Sequence, residues 1–454
     1  MANSPDWNEL VPMPMFKPAM APLPDDVRAL TALRFFAAFW VLTLHYTDFM
    51  PADFAAVTGF FAEGKLGVDF FFVLSGFILT HVYLGRLEAG DFAWQGFMLR
   101  RFARLYPLHL VTFLVVVAYV TVGRLVGLGF SVPEAYTLES VWPNLLMLHA
   151  WGIQDHMSWN YVSWSISAEW FAYLLFLPLS LLVLRLPCGP GGKLVLAGLG
   201  LLAASYVAEQ AIGRPLTHLT HDFGILRILP EFVLGIALYH AARIWDLETR
   251  HAGTILAVTL GALLAIVHWR LDGLYAVVLL AFLIFAVASL ARQGRLAWLS
   301  RPTLVYLGEI SYAIYMTHAI VFIVFFRGLG MLLGDRASPH LWWLGPIAVA
   351  LTLAAAMLAH HLVERPARQW LNRLFAGRSQ RSGRTPAGPA MDLGRVQPHP
   401  RSIAAPCSEP LGHRGCACAA IRAKRPGTRH ALTSGARCAW PTTWRERRCG
   451  WPGG

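Results

Sequence analysis

The sequence has few charged residues for its length. Only 14% of its 454 residues are Asp, Glu, Lys or Arg, while hydrophobic residues make up 56% and the mean hydropathy is +0.49. An ordinary soluble domain carries about 25% charged residues. This scarcity of charge excludes a typical soluble domain and indicates a membrane protein.

Cysteine is scarce as well, and Cys188 is the only one of the six that precedes residue 377. Neither a disulfide framework nor a zinc spacing results, so no metal site is expected. The formal net charge of +12 is concentrated in residues 377–454, where 14 Lys and Arg face three acidic residues. The remainder is nearly neutral, so we expect no nucleic-acid partner.

Three regions follow from this composition. Residues 1–28 are rich in proline and lack the basic segment and short apolar core of a cleavable signal peptide, which predicts a disordered cytoplasmic leader. Residues 29–376 form a predicted transmembrane domain. Residues 377–454 have no apolar periodicity and are predicted to be a basic, disordered tail.

The apolar runs predict an all-α, polytopic bundle. A membrane-spanning helix needs about 20 apolar residues, and ten segments meet this length. Basic residues in alternate short loops predict that both termini are cytoplasmic. The predicted spans are 29–48, 66–84, 107–127, 164–185, 194–211, 224–242, 253–269, 273–291, 305–327 and 343–363.

Ionisable residues inside these spans are costly and mark candidate sites. Arg34 and His45 are 11 residues apart in the first span, which predicts one helical face and an axial separation of about 16 Å. Asp69 in the second span and Glu169 in the fourth are predicted to lie near the outer side, level with His45. Each carboxylate is either part of the site or a structural partner of a nearby group.

Three further patterns concern polar residues of the spans and their ends. The i,i+4 spacing in the sixth span predicts that Arg227 pairs with Glu231. In the ninth span Ser311, Tyr315 and His318 share one stripe, either as a hydrogen-bonded seam or as a cavity wall. Three arginines precede the third span, a spacing that suits phosphate as well as lipid headgroups. They are Arg100, Arg101 and Arg104.

Together these motifs resemble the integral-membrane acyltransferase-3 family, which includes O-antigen and exopolysaccharide acetylases. The resemblance covers roughly residues 25 to 370. It rests on the order and spacing of six motifs, since each motif by itself is weak. They are the spacing of Arg34 and His45, and residues 67–77, 100–107, 164–169, 307–318 and 363–366.

The resemblance implies a multi-pass enzyme of the bacterial inner membrane. It implies transfer of an acyl group, with acetyl-CoA as the expected donor, from cytoplasmic acyl-CoA to a hydroxyl of a glycan or lipid-linked saccharide. His45 is then the catalytic residue with Arg34 as its partner in the motif, and Arg100, Arg101 and Arg104 meet the CoA phosphates. No permanently bound cofactor is implied, and membrane lipid is the other expected partner.

Two questions stay open at this point. His45 serves either as a general base, oriented by Asp69 or Glu169, or as a carrier of the acyl group on its imidazole. The alternative from another class is a non-catalytic transporter or proton pathway that uses His45, Asp69, Glu169 and His318.

Overall fold

The apolar runs of the sequence form long helices. The structure, a computed structural model, describes residues 16–18, 22–24, 26–47, 49, 58–130, 132–247, 249–333 and 341–381. A five-residue π-helical turn, His360–Glu364, joins the last two helices. The main helices are α1 (Arg28–Thr47), α2 (Leu66–Ala89), α3 (Trp94–Leu125), α4 (Trp164–Arg185), α5 (Pro190–Ile212), α6 (Gly224–Ile244), α7 (Thr249–His268), α8 (Gly273–Arg292), α9 (Pro302–Glu309), α10 (Ser311–Leu333), α11 (Leu341–Ala359) and α12 (Arg365–Arg381).

Ten helical segments within the described ranges are long and apolar enough to cross a membrane. The prediction of an all-α bundle with about ten spans is therefore confirmed. A small ladder of β1 (Phe16–Pro18) and β2 (Trp245–Leu247) pairs the predicted leader with the end of α6. Residues 1–15 and 382–454 lie outside the described residues, so the predictions for most of the leader and tail stay predictions.

Two helices differ from the predicted spans. Helix α3 begins at Trp94 rather than residue 107, because charged residues end an apolar run without ending a helix. Its 32 residues reach about 48 Å, well beyond the thickness of a hydrocarbon core. The basic run therefore lies on a regular helix that extends past the apolar segment. The predicted span 305–327 is divided at Ile310 into α9 and α10.

Glycines set the closest helix contacts. A β-carbon on Gly76 of α2 would lie 2.1 Å from the carbonyl oxygen of Phe232, and one on Gly235 of α6 would lie 2.0 Å from that of Val73. The two backbones therefore touch, because neither glycine carries a side chain that would hold them apart. Gly308 similarly lets α9 approach α1, where its β-carbon would lie 1.9 Å from the oxygen of Thr31.

Candidate active site

A cavity of about 650 Å³ opens at the end of the bundle where α1 and α3 begin. We call this end the basic end, because seven arginines and three carboxylates line the cavity, an excess of four positive charges. Apolar side chains of α1, α2 and α4 form its other walls. The arginines are Arg34, Arg100, Arg101, Arg104, Arg365, Arg368 and Arg373, and the carboxylates are Asp26, Glu169 and Glu309.

The three arginines predicted to bind phosphate all line this cavity. The Nε of Arg100 donates to the hydroxyl of Tyr83 at 3.1 Å. The guanidinium of Arg101 lies over the ring of Tyr173 at 5.7 Å. Arg104 forms an ion pair with Glu364 of the π-helical turn. These contacts hold each cation in position while leaving it at the cavity surface.

Three further cationic residues come from the opposite end of the sequence. Arg365, Arg368 and Arg373 on α12 line the same cavity, because α12 packs beside α3. None of the three was among the residues predicted to bind phosphate. The available signal was their spacing along one helix that begins within the motif at 363–366.

Arg34 and Glu169 line the same cavity. Glu169 is an acidic neighbour of the Arg34 guanidinium. The Oε1 of Glu169 accepts hydrogen bonds from the hydroxyls of Ser75, at 2.8 Å, and Tyr173. These two partners hold Glu169 beside Arg34, whereas the sequence predicted a position level with His45.

Asp69 lies in a buried ion pair. Its Oδ1 accepts from Nε of Arg227 at 2.8 Å and its Oδ2 from Nη2 at 2.7 Å, and both side chains are at most 1% exposed. The same guanidinium stacks over Trp164 at 5.3 Å. The prediction that Arg227 pairs with Glu231 is wrong, because Asp69 on the neighbouring helix offers a bidentate partner that satisfies two N–H groups at once. Asp69 is thus the structural carboxylate that the sequence left as an alternative.

His45 lies one layer of side chains away from the cavity. Its ring is 5.3 Å from the ring of His318 and 5.2 Å from that of Tyr161, measured between centroids. His318 in turn packs against Tyr315 at 5.8 Å. The hydroxyl of Tyr315 is hydrogen-bonded to that of Ser165 at 2.7 Å, and both residues line the cavity. The chain from cavity to His45 therefore runs through Tyr315 and His318.

This arrangement answers the question about the ninth-span stripe. Ser311 and Tyr315 line the cavity. Tyr315 also donates to the backbone oxygen of Val162 at 2.7 Å, and Nδ1 of His318 lies 2.7 Å from the backbone oxygen of Tyr315. The stripe is a cavity wall at one end and a hydrogen-bonded seam at the other.

A small pocket lies beside Tyr161, a ring neighbour of His45. Tyr161 lines this pocket together with Asn160 and Trp159, and the free space of about 10 Å³ is enough for roughly one water molecule. The Nδ2 of Asn160 donates to the backbone oxygen of Met316 at 3.1 Å. Its Oδ1 is buried without a hydrogen-bond partner among the described residues. This pocket therefore contains a buried hydrogen-bond acceptor.

A buried histidine pair joins α3 to the loop between α3 and α4. His149 stacks on His109 with centroids 5.8 Å apart, and its Nε2 is hydrogen-bonded to the hydroxyl of Ser163 at 3.0 Å. Burial, and next the neighbouring His109, lower the pKa of His149 to about 3. This histidine is neutral in the folded protein, and it fixes the loop that leads into Tyr161.

Two carboxylates, Asp26 and Glu309, lie among the arginines that line the cavity. Burial raises the pKa of Glu309 and of Asp26. For Glu309 the arginines Arg368, Arg34 and Arg104 act in the opposite direction. The positive charge at the entrance is therefore partly compensated.

The comparisons with known proteins identify the class of enzyme. A family model described as an acyltransferase domain, acyltransferase-3, matches residues 27–361. The chain therefore belongs to the acyltransferase-3 family of membrane acyltransferases. The alternative of a non-catalytic transporter does not fit this membership.

Individual relatives agree with this class. The chain is 32% identical to acyltransferase MdmB of Streptomyces mycarofaciens over 78% of its own length and 95% of the relative. It is 29% identical to the exopolysaccharide production protein ExoZ of Rhizobium meliloti over 67% of its length and 90% of that protein. Peptidoglycan O-acetyltransferase OatA of Listeria monocytogenes matches at 30% identity over 32% of the chain and 24% of OatA. No solved structure matches the chain.

Proposed function

We propose that this enzyme is an O-acyltransferase of the bacterial inner membrane. It takes an acetyl or longer acyl group from acyl-CoA at the basic end and transfers it to a hydroxyl of a cell-surface glycan or lipid-linked saccharide. The observation that carries this proposal is an arginine-lined cavity of about 650 Å³ that ends one layer of side chains from His45.

The charge of the cavity supports acyl-CoA as the donor. Coenzyme A carries a diphosphate and an adenosine phosphate, and arginine binds such groups with paired N–H donors. Arg100, Arg101 and Arg104 bind these phosphates, and Arg368 adds charge at the entrance. The apolar walls suit the pantetheine arm, which then runs past Arg34 towards Tyr315.

The distribution of basic residues supports the direction of transfer. Basic residues in short loops favour the cytoplasmic side, and the basic end carries them. The loop at 128–163, on the opposite side, has no Lys or Arg. The donor therefore enters from the cytoplasm, and the acceptor reaches His45 from the outer side.

In the transfer step, the hydroxyl oxygen of the acceptor bonds to the thioester carbon while the carbon–sulfur bond breaks. The proton of the hydroxyl passes to the neutral imidazole of His45, which then gives a proton to the CoA thiolate. The products are an acyl ester and free CoA. A route through an acyl-imidazole on His45 uses the same residue in two half-reactions.

The acceptor is proposed from two observations. The names of ExoZ and OatA refer to an exopolysaccharide and to peptidoglycan. In this chain the partly exposed ring of Tyr161 lies 5.2 Å from that of His45, and an aromatic ring at this position suits the apolar face of a sugar.

The test is acyl-CoA turnover by the purified, detergent-solubilised enzyme with a panel of bacterial glycans. General-base catalysis contributes about 10²- to 10⁴-fold, so His45→Ala should lose transfer by at least the lower figure. His268→Ala, at an exposed histidine on α7, is the matched control and should keep full activity. Transfer that survives the loss of His45 contradicts the mechanism, and a wild type that turns over no acyl-CoA contradicts the function.

A single-turnover experiment without acceptor separates the two routes. Radiolabelled acyl-CoA should leave no label on the protein if His45 acts only as a base. Label on His45, located by mass spectrometry, would identify the acyl-imidazole route.

A further inference from the structure

The half-buried ring of His45 packs against the buried ring of His318. Their ring centroids are 5.3 Å apart with 30° between the planes, and His318 is fully buried. At this separation, ring nitrogens that face each other would lie about 3 Å apart, which is a hydrogen-bond distance. His318 can therefore act directly on His45.

The protonation of His318 follows from its backbone contact. Nδ1 lies 2.7 Å from the carbonyl oxygen of Tyr315, which only accepts hydrogen bonds, so Nδ1 carries the proton. In the neutral ring Nε2 then keeps its lone pair. Nε2 is buried and has no hydrogen-bond partner in the part of the chain that the structure describes. An unsatisfied buried acceptor is uncommon in folded proteins and calls for an explanation.

The carboxylates that the sequence suggested for orienting His45 have other partners. Asp69 is paired with Arg227 through both of its oxygens. Glu169 is held in the cavity by Ser75 and Tyr173. Both carboxylates are therefore engaged by side chains other than His45 in these hydrogen bonds.

We propose, on the basis of the function proposed above, that His318 is a positioning residue for His45. Nε2 of His318 accepts a hydrogen bond from one N–H of the His45 ring, which keeps the lone pair of the other His45 nitrogen on the acceptor hydroxyl. When the hydroxyl oxygen bonds to the thioester carbon, its proton passes to that nitrogen and the CoA thiolate leaves. The bond to His318 then stabilises the imidazolium until it returns a proton to the thiolate. This is the role that a carboxylate has in a catalytic triad.

Two substitutions separate the nitrogens of His318. His318→Asn keeps a donor near the position of Nδ1 but has no acceptor at that of Nε2, whereas the longer side chain in His318→Gln carries an amide oxygen to that position. We expect kcat of the full-length enzyme to fall tenfold or more in His318→Asn, within the range that general-base catalysis contributes, and to recover in His318→Gln. The KM values for acyl-CoA and for the acceptor should stay unchanged in both.

Each other outcome overturns the proposal. An unchanged kcat in His318→Asn shows that His318 does not have this role. A high kcat in His318→Asn together with a low kcat in His318→Gln also contradicts it. That pattern would identify the bond to Tyr315 as the important one. Nitrogen NMR of histidine-labelled wild type needs no substitution, and a proton on Nε2 of His318 at pH 7 contradicts the proposal. Transfer that needs His45 but not His318 overturns this inference alone, whereas a wild type without transfer overturns the proposed function.

Discussion

The two halves of the candidate site differ in charge and in openness. The basic end holds seven arginines around a cavity of about 650 Å³. Around His45 the neighbours are the rings of His318 and Tyr161, and the adjoining pocket has room for roughly one water molecule. The proposed function therefore uses separate regions for binding of the charged donor and for proton transfer.

The largest expected effect comes from breaking the buried ion pair between Asp69 and Arg227, which contrasts with the exposed pairs of the basic end. Asp69→Ala leaves the buried Arg227 guanidinium without its partner, and we expect the free energy of unfolding to fall by about 3–5 kcal/mol. Glu88→Ala removes the exposed pair with Arg243 at the basic end and should cost less than about 1 kcal/mol. Denaturant unfolding in detergent measures both variants. Equal losses would mean that burial does not distinguish the two pairs.

The next effect concerns helix contact. A β-carbon in Gly235→Ala would meet the carbonyl oxygen of Val73, so α2 and α6 must separate, at a cost of about 1–3 kcal/mol. The matched control is Gly261→Ala on α7, where no atom lies within 4 Å of the added carbon. That change should be neutral or stabilise by up to about 1 kcal/mol. Thermal unfolding of the two variants under identical detergent conditions tests the contrast.

Charge at the basic end is expected to affect binding more than chemistry. Arg100→Gln or Arg368→Gln removes one cavity cation, and the KM for acyl-CoA should rise about tenfold with little change in kcat, since a charged hydrogen bond contributes about 1.5–3 kcal/mol. Arg295→Gln, at an exposed position outside the cavity, should leave KM unchanged. Steady-state kinetics at two salt concentrations measures this. A fall in kcat alone would place these arginines in the chemical step instead.

The smallest expected effect is a pH dependence of stability that arises from His149. The pKa of His149 is lowered to about 3 in the folded protein, below the usual value of 6.5. The folded protein therefore keeps its full stability above pH 6.5. It loses stability as pH falls from 6.5 towards 3, because in that range the unfolded chain binds a proton on His149 that the folded chain does not. The loss should be about 1 kcal/mol by pH 5.5. Unfolding of wild type and His149→Gln across this range measures it, and identical slopes would show that His149 is not the group responsible.

Part of the site could be read from the sequence because it depends on local periodicity. Arg34 lies on α1 with His45, and its cavity neighbours Arg100, Arg101 and Arg104 lie together on α3. Within one helix, spacing alone predicts which side chains share a face. The same periodicity predicted ten spans, although it missed the start of α3 at Trp94, where the helix outlasts its apolar run.

Contacts between distant segments could not be read in this way. Arg227 has a candidate partner one turn away in Glu231, yet it pairs with Asp69, 158 residues earlier. Arg368 belongs to the cavity because α12 packs on α3. No spacing rule relates such residues, because the approach of two helices depends on the packing of both.

The sequence by itself therefore determined the membrane class, the number of spans and the family. Hydrophobic length and motif order are properties of the chain, whatever its packing. Only the tertiary structure decided which carboxylate is structural, which arginines share the cavity and which side chain lies against His45. These depend on where backbones come close, at Gly76 and Gly235 above all, and on which buried charge finds the better-oriented partner.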